Sequence, residues 1–293
     1  MPLSNKRLLA NMATWTRLVR FESTDGSIHL GQPIKADLDI GVAVAAGEQP
    51  EVHLIEGDIY SGKVTSKTAK IGRLLSPVSR DQCSIIRCLG LNYNKHAAEA
   101  SMAIPTAPVL FIKPRTSLTG PGEIPISKLA QDQLDYETEL ACVFSADAKD
   151  VTEEDALKYV LGFTASNDVS ARKFQLETSQ WCFGKGFDNF CPIGPVLVRT
   201  SELDPDKVQL KGTLSGEVMQ DENTSDMIFS VKKSISYLSQ GTTIEKGTVM
   251  QLGTPSGIGW MRKPKRIIQD GEEMRIWMDG GIGTLVNTFK IEK

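Results

Sequence analysis

The sequence predicts an α+β protein that is predominantly β, with a small β-rich N-terminal domain ahead of a larger one. Three observations carry this reading. Apolar runs are short and punctuated by Gly, Pro, Asn and Asp. Strand-like stretches recur along the whole chain, and only two segments space their apolar residues as helices do. A chain of 293 residues is long enough for two domains with a sizeable core.

Residues 1–11 read as a flexible extension. No acid precedes Glu22, while Lys6, Arg7, Arg17 and Arg20 do, so a mitochondrial presequence is an alternative to a cytoplasmic location. TWTRLVRFES (14–23), SIHLGQPI (27–34), IGVAVAAG (40–47) and EVHLIEG (51–57) read as strands parted by turn residues. They define a small domain over 12–75, and LLSPVSRDQ (74–82) reads as a connector. The larger domain takes 76–293. Its strands are IIRCLGLN (85–92), VLFIKP (109–114), TELACVF (138–144), PIGPVLVRT (192–200), KVQLKGTLSG (207–216), TVMQLGT (248–254), EEMRIWMDG (272–280) and GTLVNTFKIE (283–292). The helices are TEEDALKYVLGF (152–163), with Thr152 as N-cap and Gly162 as exit, and SDMIFSVKKSISYLSQG (225–241).

Composition excludes several function classes. Charged residues are 24% and the net charge is -3, with no basic patch, which argues against nucleic acid. No apolar run reaches the roughly 18 residues of a membrane span. The five cysteines (Cys83, Cys88, Cys142, Cys182 and Cys191) lack C-x-x-C spacing, and His29, His53 and His96 complete no zinc pattern. They read as reduced, buried thiols of an intracellular protein.

The chemistry starts at DYETE, residues 135–139. In a strand, alternate side chains share a face, which puts Glu137 and Glu139 roughly 6.6 Å apart at about 3.3 Å rise per residue. Two readings stay open: a solvated face with Asp135 at its start, or a pair of hard oxygen ligands for Mg²⁺ or Ca²⁺. Asp168 is a third candidate ligand. If a helix starts there, Arg172 and Gln175 continue its face into a pocket for an oxygen-rich anion; the alternative is an N-cap with a surface ion pair. His96 and Glu99 are three apart, so one helical turn brings them together. The carboxylate would then fix the imidazole tautomer and raise its basicity for activating water; an exposed pair is the alternative. Lys185 lies between Gly184 and Gly186, where backbone can approach a ligand closely, and could hold an enolate oxygen or be a loop lysine.

Together these segments resemble the fumarylacetoacetate hydrolase family, in its acylpyruvase and oxaloacetate decarboxylase-like branch. LGLNYNKHAAE, PVLFIKP, LDYETELACV, GFTASNDVSARKFQ, FGKGFDNFCPIGP, LGTPSGIG and GIGTLVNTF follow the family's order over about residues 83–291. The resemblance implies a mixed β-sandwich roll with a few helices. It implies metal binding by Glu137, Glu139 and Asp168, with Mg²⁺ expected and Mn²⁺ or Ca²⁺ as alternatives. It implies a catalytic His96–Glu99 dyad on a lid over 93–107, a catalytic Lys185, substrate contacts from Arg172, Gln175 and Thr254, and a homodimer. Thr248 and Leu252 depart from the family pattern, while Gly253-Thr254 keeps it.

The implied activity is hydrolysis of a C–C bond in a 1,3-dicarbonyl or 2-oxo acid through a stabilised enolate. A decarboxylase or isomerase on the same site is an alternative, and a non-catalytic binding homologue is another. The expected partner is a small oxo acid, with neither nucleic acid nor membrane.

Overall fold

The computed structural model describes residues 13–292, so the extension expected at 1–11 lies outside the described residues. Strands Thr138–Phe144, Val160–Asn167 and Cys191–Arg199 are buried along almost their whole length. Such continuous burial, rather than alternation, marks strands covered on both faces. They form the centre of an eleven-stranded sheet. On one side Arg17–Ser23 pairs with Cys191–Arg199 and carries the sheet into Lys63–Leu75, Glu51–Glu56 and Ile28–Pro33. On the other side Val249–Gln251, Ile86–Gly90 and Val109–Lys113 follow in that order. A five-stranded sheet runs Glu217–Asn223, Gln209–Leu214, Glu273–Met278, Gly283–Ile291, Gly122–Ile126. Both sheets mix parallel with antiparallel pairs, since Val249–Gln251 runs parallel to Ile86–Gly90, and Gly283–Ile291 to Gly122–Ile126. The two sheets share one apolar core, in which Leu140, Cys142 and Phe163 meet Leu210, Ile276 and Leu285. The fold is thus α+β and predominantly β.

Two expectations are corrected, and one strand had no expectation. IGVAVAAG is not a strand, for Ile40–Ala45 is helical. Asp39 caps it, accepting from the N–H groups of Gly41 and Val42 at 3.1 Å, and the capped end outweighs the β-branched content. Gly41 presses on Gly283–Ile291 so closely that a Cβ there would lie 1.7 Å from the Thr284 carbonyl oxygen. TEEDALKYVLGF is a 3₁₀ turn over Ala156–Tyr159 that enters the strand Val160–Asn167. Pairing with strands on both sides overrides its helical propensity there. Lys63–Leu75, which sequence alternation did not flag, is a strand of 13 residues with mostly exposed polar side chains. The helix expected within 225–241 is present as Val231–Leu238, with the Ser230 hydroxyl accepting from the Lys233 N–H. Four of the five cysteines are buried and Cys182 is partly so.

Candidate active site

The central strands bring their acids to one end of the sheet. Glu137 directly precedes Thr138–Phe144, Glu139 lies within it, and Asp168 follows Val160–Asn167, the antiparallel neighbour. Each offers a carboxylate oxygen within 4.8 Å of the others, and all three residues are buried. The register is fixed locally by Asn167, whose side-chain oxygen accepts from the Glu137 N–H at 2.9 Å.

Two buried lysines approach the same acids. Lys185 is 2% exposed, at the end of the short helix Cys182–Lys185. Its Nζ donates to Glu137 Oε2 at 2.9 Å, Asp168 Oδ2 at 2.6 Å and the Ser170 hydroxyl at 2.9 Å. All three ammonium hydrogens are therefore committed, and a buried charge this well paired is fixed in place. Lys113, which sequence reasoning passed over as part of a strand, is fully buried. Its Nζ reaches Asp168 Oδ1 at 2.5 Å and the carbonyls of Val169 and Phe190.

The expectation that Arg172 and Gln175 continue a helical face from Asp168 is corrected. The helix begins only at Arg172, after the two-residue strand Ser170–Ala171. Arg172 turns instead to the DYETE segment, contacting Asp135 Oδ2 through Nε and Nη2 at 2.8 Å and Glu137 Oε1 through Nη1 at 2.7 Å. Gln175 Oε1 accepts from Arg172 Nη1 at 2.8 Å. This also gives Asp135 its place. It is a buried clamp that takes Arg172 on Oδ2 and the backbone N–H groups of Tyr136 and Gly259 on Oδ1, with the Trp260 N–H on Oδ2.

His96 and Glu99 lie on the helix Asn94–Glu99, with His96 Nδ1 3.1 Å from Glu99 Oε2. With Nδ1 engaged by the carboxylate, Nε2 is the nitrogen left to accept a proton. Glu99 Oε1 accepts from the Gly257 N–H at 2.9 Å, which docks this helix on the loop after Val249–Gln251. Thr254 sits in the same loop, its hydroxyl donating to the Thr138 carbonyl at 3.1 Å and accepting from Gln220 Nε2 at 2.8 Å. Gln220, missed from sequence, arrives from the other sheet and also takes the Thr138 N–H on its Oε1. His96, Glu137, Arg172, Gln175, Lys185 and Thr254 all line one cavity of about 670 Å³.

The electrostatics are uneven. Burial opposes the charge of Glu137, but Lys185 and Arg172 outweigh it and hold the carboxyl well below its ordinary range. Glu139 goes the other way: burial first, then the Asp168 and Glu137 charges, push it well above. The Lys185 charge and the Gly253 N–H, the latter at 2.8 Å to Oε2, oppose this without reversing it, and Oε1 is buried without a hydrogen-bond partner. Burial alone would lower Lys185, yet Asp168 and Glu137 raise it.

These residues fit a divalent cation. Glu139 presents a bare buried oxygen, the other two carboxylates keep lone pairs beyond those used by lysine and arginine, and an all-carboxylate set is hard-oxygen chemistry suited to Mg²⁺, Mn²⁺ or Ca²⁺.

Known proteins resemble this chain along most of its length. The family model described as "Fumarylacetoacetate (FAA) hydrolase C-terminal" matches residues 85–290. A caffeoylpyruvate hydrolase of Neonothopanus nambi is 43% identical over 291 residues, covering 96% of this chain and 95% of its own. An oxaloacetate tautomerase of Bacillus subtilis is 39% identical over 219 residues, covering 73% of this chain and 72% of its own. Among solved structures, a 2-hydroxyhepta-2,4-diene-1,7-dioate isomerase from Mycobacterium marinum superposes with a TM-score of 0.77 at 32% identity, covering 94% of this chain and 99% of that one.

Proposed function

Because the chain belongs to the fumarylacetoacetate hydrolase family, we propose that it hydrolyses the C–C bond between the acyl carbonyl carbon and the methylene carbon of an acylpyruvate. The observation that carries this is the His96–Glu99 dyad opening on the same cavity as Arg172, Gln175 and Lys185. A tautomerase or decarboxylase of a small oxo acid has no need of a water-activating base, whereas a hydrolase does.

The residues divide the work as follows. Arg172 and Gln175 receive the carboxylate of the pyruvate end, Arg172 being held in place by Asp135. Glu137, Glu139 and Asp168 would hold a divalent cation, Mg²⁺ in the first instance, which would supply Lewis-acid stabilisation of the negative charge that develops on the substrate. His96 takes a proton from water through Nε2, and the resulting imidazolium is stabilised by Glu99. The water oxygen attacks the acyl carbonyl carbon. The C–C bond breaks, its electron pair passes into the pyruvate fragment as an enolate, and protonation of carbon gives pyruvate beside the free acid. With its hydrogens already committed, Lys185 serves as a fixed positive charge near the enolate rather than as its donor.

A second reading has its own support. The relative from Bacillus subtilis is an oxaloacetate tautomerase, and enol–keto exchange, which moves one proton between oxygen and carbon through an enolate, would use the enolate-stabilising groups with His96 as proton carrier and no attacking water. The test follows the enol absorbance of an acylpyruvate with Mg²⁺ and then with excess chelator, and identifies products. Chelator-sensitive loss that yields pyruvate and a second acid supports the hydrolase. Loss without cleavage, or activity confined to oxaloacetate, overturns it in favour of the tautomerase or a decarboxylase.

We further propose a homodimer, and a cytoplasmic location with the mitochondrion as alternative. Among the described residues no helix is long and apolar enough to cross a membrane. Imaging of the tagged full chain decides the compartment.

A further inference from the structure

We infer that the outer half of the catalytic cavity is a subsite for a flat, aromatic acyl group bearing an oxygen function at its far end, selected by Trp260 with Lys263 and Lys265. The inference rests on the hydrolase reading and names its substrate class. Size is the first argument. The cavity of about 670 Å³ falls within the range of about 300–1,000 Å³ seen for drug-sized ligands. A pyruvate unit against Arg172 and Lys185 fills only its inner end. A small aliphatic dicarboxylate would leave the remainder empty.

The lining changes character along its length. The inner end is charged. The outer walls carry Met102, Leu176 and Met261, which are 52%, 64% and 42% exposed. Apolar side chains left open around one mouth mark a surface that a ligand covers. Trp181 forms a further wall, its ring so close to Gly90 that a Cβ there would lie 2.2 Å from Cζ3.

Trp260 is the aromatic element of this outer half. Its backbone N–H donates at 3.0 Å to Asp135 Oδ2, the oxygen that also takes Arg172 Nε at 2.8 Å. The turn that carries the indole is therefore anchored beside the arginine that receives the carboxylate. Lys265 Nζ lies 3.2 Å from the centroid of the Trp260 ring, and Lys263 shares the same cavity wall. In this turn Arg262 and Arg266 approach Glu217, and Arg266 pairs with Glu272. Lys263 and Lys265 pair with no carboxylate among the described residues. An aromatic ring stacks on indole, and a ring hydroxyl, phenolate or carboxylate then meets ammonium groups otherwise without anions. An alkyl chain would use neither.

The test compares kcat/KM for acetylpyruvate and for a hydroxylated aryl acylpyruvate, in the full chain with Mg²⁺. Wild type is expected to prefer the aryl substrate at least tenfold. In Trp260→Leu and in Lys265→Gln, the exposed and less disruptive change, that ratio falls at least tenfold and threefold respectively. An unchanged ratio in both variants, or a wild type that does not prefer the aryl substrate, overturns the subsite while leaving the hydrolase reading intact. If wild type cleaves neither substrate, the hydrolase reading fails by itself. Calorimetric titration with the free hydroxylated aryl acid then still reads the subsite: binding weakened tenfold by Trp260→Leu supports it, and no binding, or equal binding, overturns it.

Discussion

Glu139 is the carboxylate that its surroundings leave unbalanced, and this sets a testable asymmetry within the cluster. Glu137 and Asp168 have buried cationic partners, while Glu139 has a single backbone N–H and a bare oxygen. Glu139→Gln replaces a carboxyl whose ionisation is disfavoured when no dication is present. The variant should melt no lower than wild type in chelator, yet bind Mg²⁺ at least 100-fold more weakly, since it loses a direct ligand where even outer partners cost about 10–100-fold. A variant that melts several degrees lower in chelator would show that some other group balances Glu139. The dyad gives a second prediction. His96→Gln should lower turnover by about 10²–10⁴ and leave Mg²⁺ affinity, measured by calorimetry, within threefold. Loss of metal affinity as well would place His96 among the ligands instead. His96 with Glu99 was legible in sequence because three-residue spacing is a local fact. Lys113 and Gln220 were not, because what makes them notable is contact across long separations, Lys113 with Asp168 and Gln220 with Thr254.

The loop that follows Val249–Gln251 ties the parts together. Gly253 donates its N–H to Glu139, Gly257 to Glu99, and Gly259 and Trp260 to Asp135. Three carboxylates with different tasks are thus oriented by one stretch of backbone. The sequence displays this stretch as LGTPSGIG, but not which acids it serves, since backbone donors carry no side-chain signature. The same limit explains the elements read wrongly. IGVAVAAG has strand-like composition, and its helix is specified by the Asp39 cap and by Thr284, 245 residues away, which donates its hydroxyl to Asp39 Oδ2 at 2.6 Å. Conversely, residues 152–163 carry helical spacing that the central sheet overrides, so that Val160–Asn167 is a strand. The Gly41 contact provides the prediction at this scale. Gly41→Ala places a methyl group against the Thr284 carbonyl, backbone that cannot swing aside. It should destabilise the fold by about 1–3 kcal/mol, the usual cost of overpacking, in a urea titration. Unchanged stability would mean that the Ile40–Ala45 helix is free to shift from the sheet.

At the scale of the whole molecule, the eleven-stranded sheet ends on Val109–Lys113, which among the described residues pairs only with Ile86–Gly90. The two faces of that strand differ. Phe111 and Lys113 point inward, where Lys113 reaches Asp168 and Lys185 lies over the Phe111 ring at 5.0 Å. Leu110 and Ile112 point outward and are each 43% exposed. An unpaired edge with apolar residues on its open face is an aggregation hazard unless something covers it. A second copy of the chain is the covering that the homodimer proposal supplies, and it would brace the strand that delivers Lys113 to the acids. Light scattering on the purified chain should give twice the monomer mass. Leu110→Glu combined with Ile112→Glu should shift it to the monomer, because like charges brought together across a symmetric contact repel. Turnover should fall with the dimer, as the Lys113 strand loses its support. A wild type that is monomeric at micromolar concentration, or a double variant that stays dimeric, would remove this strand from the interface.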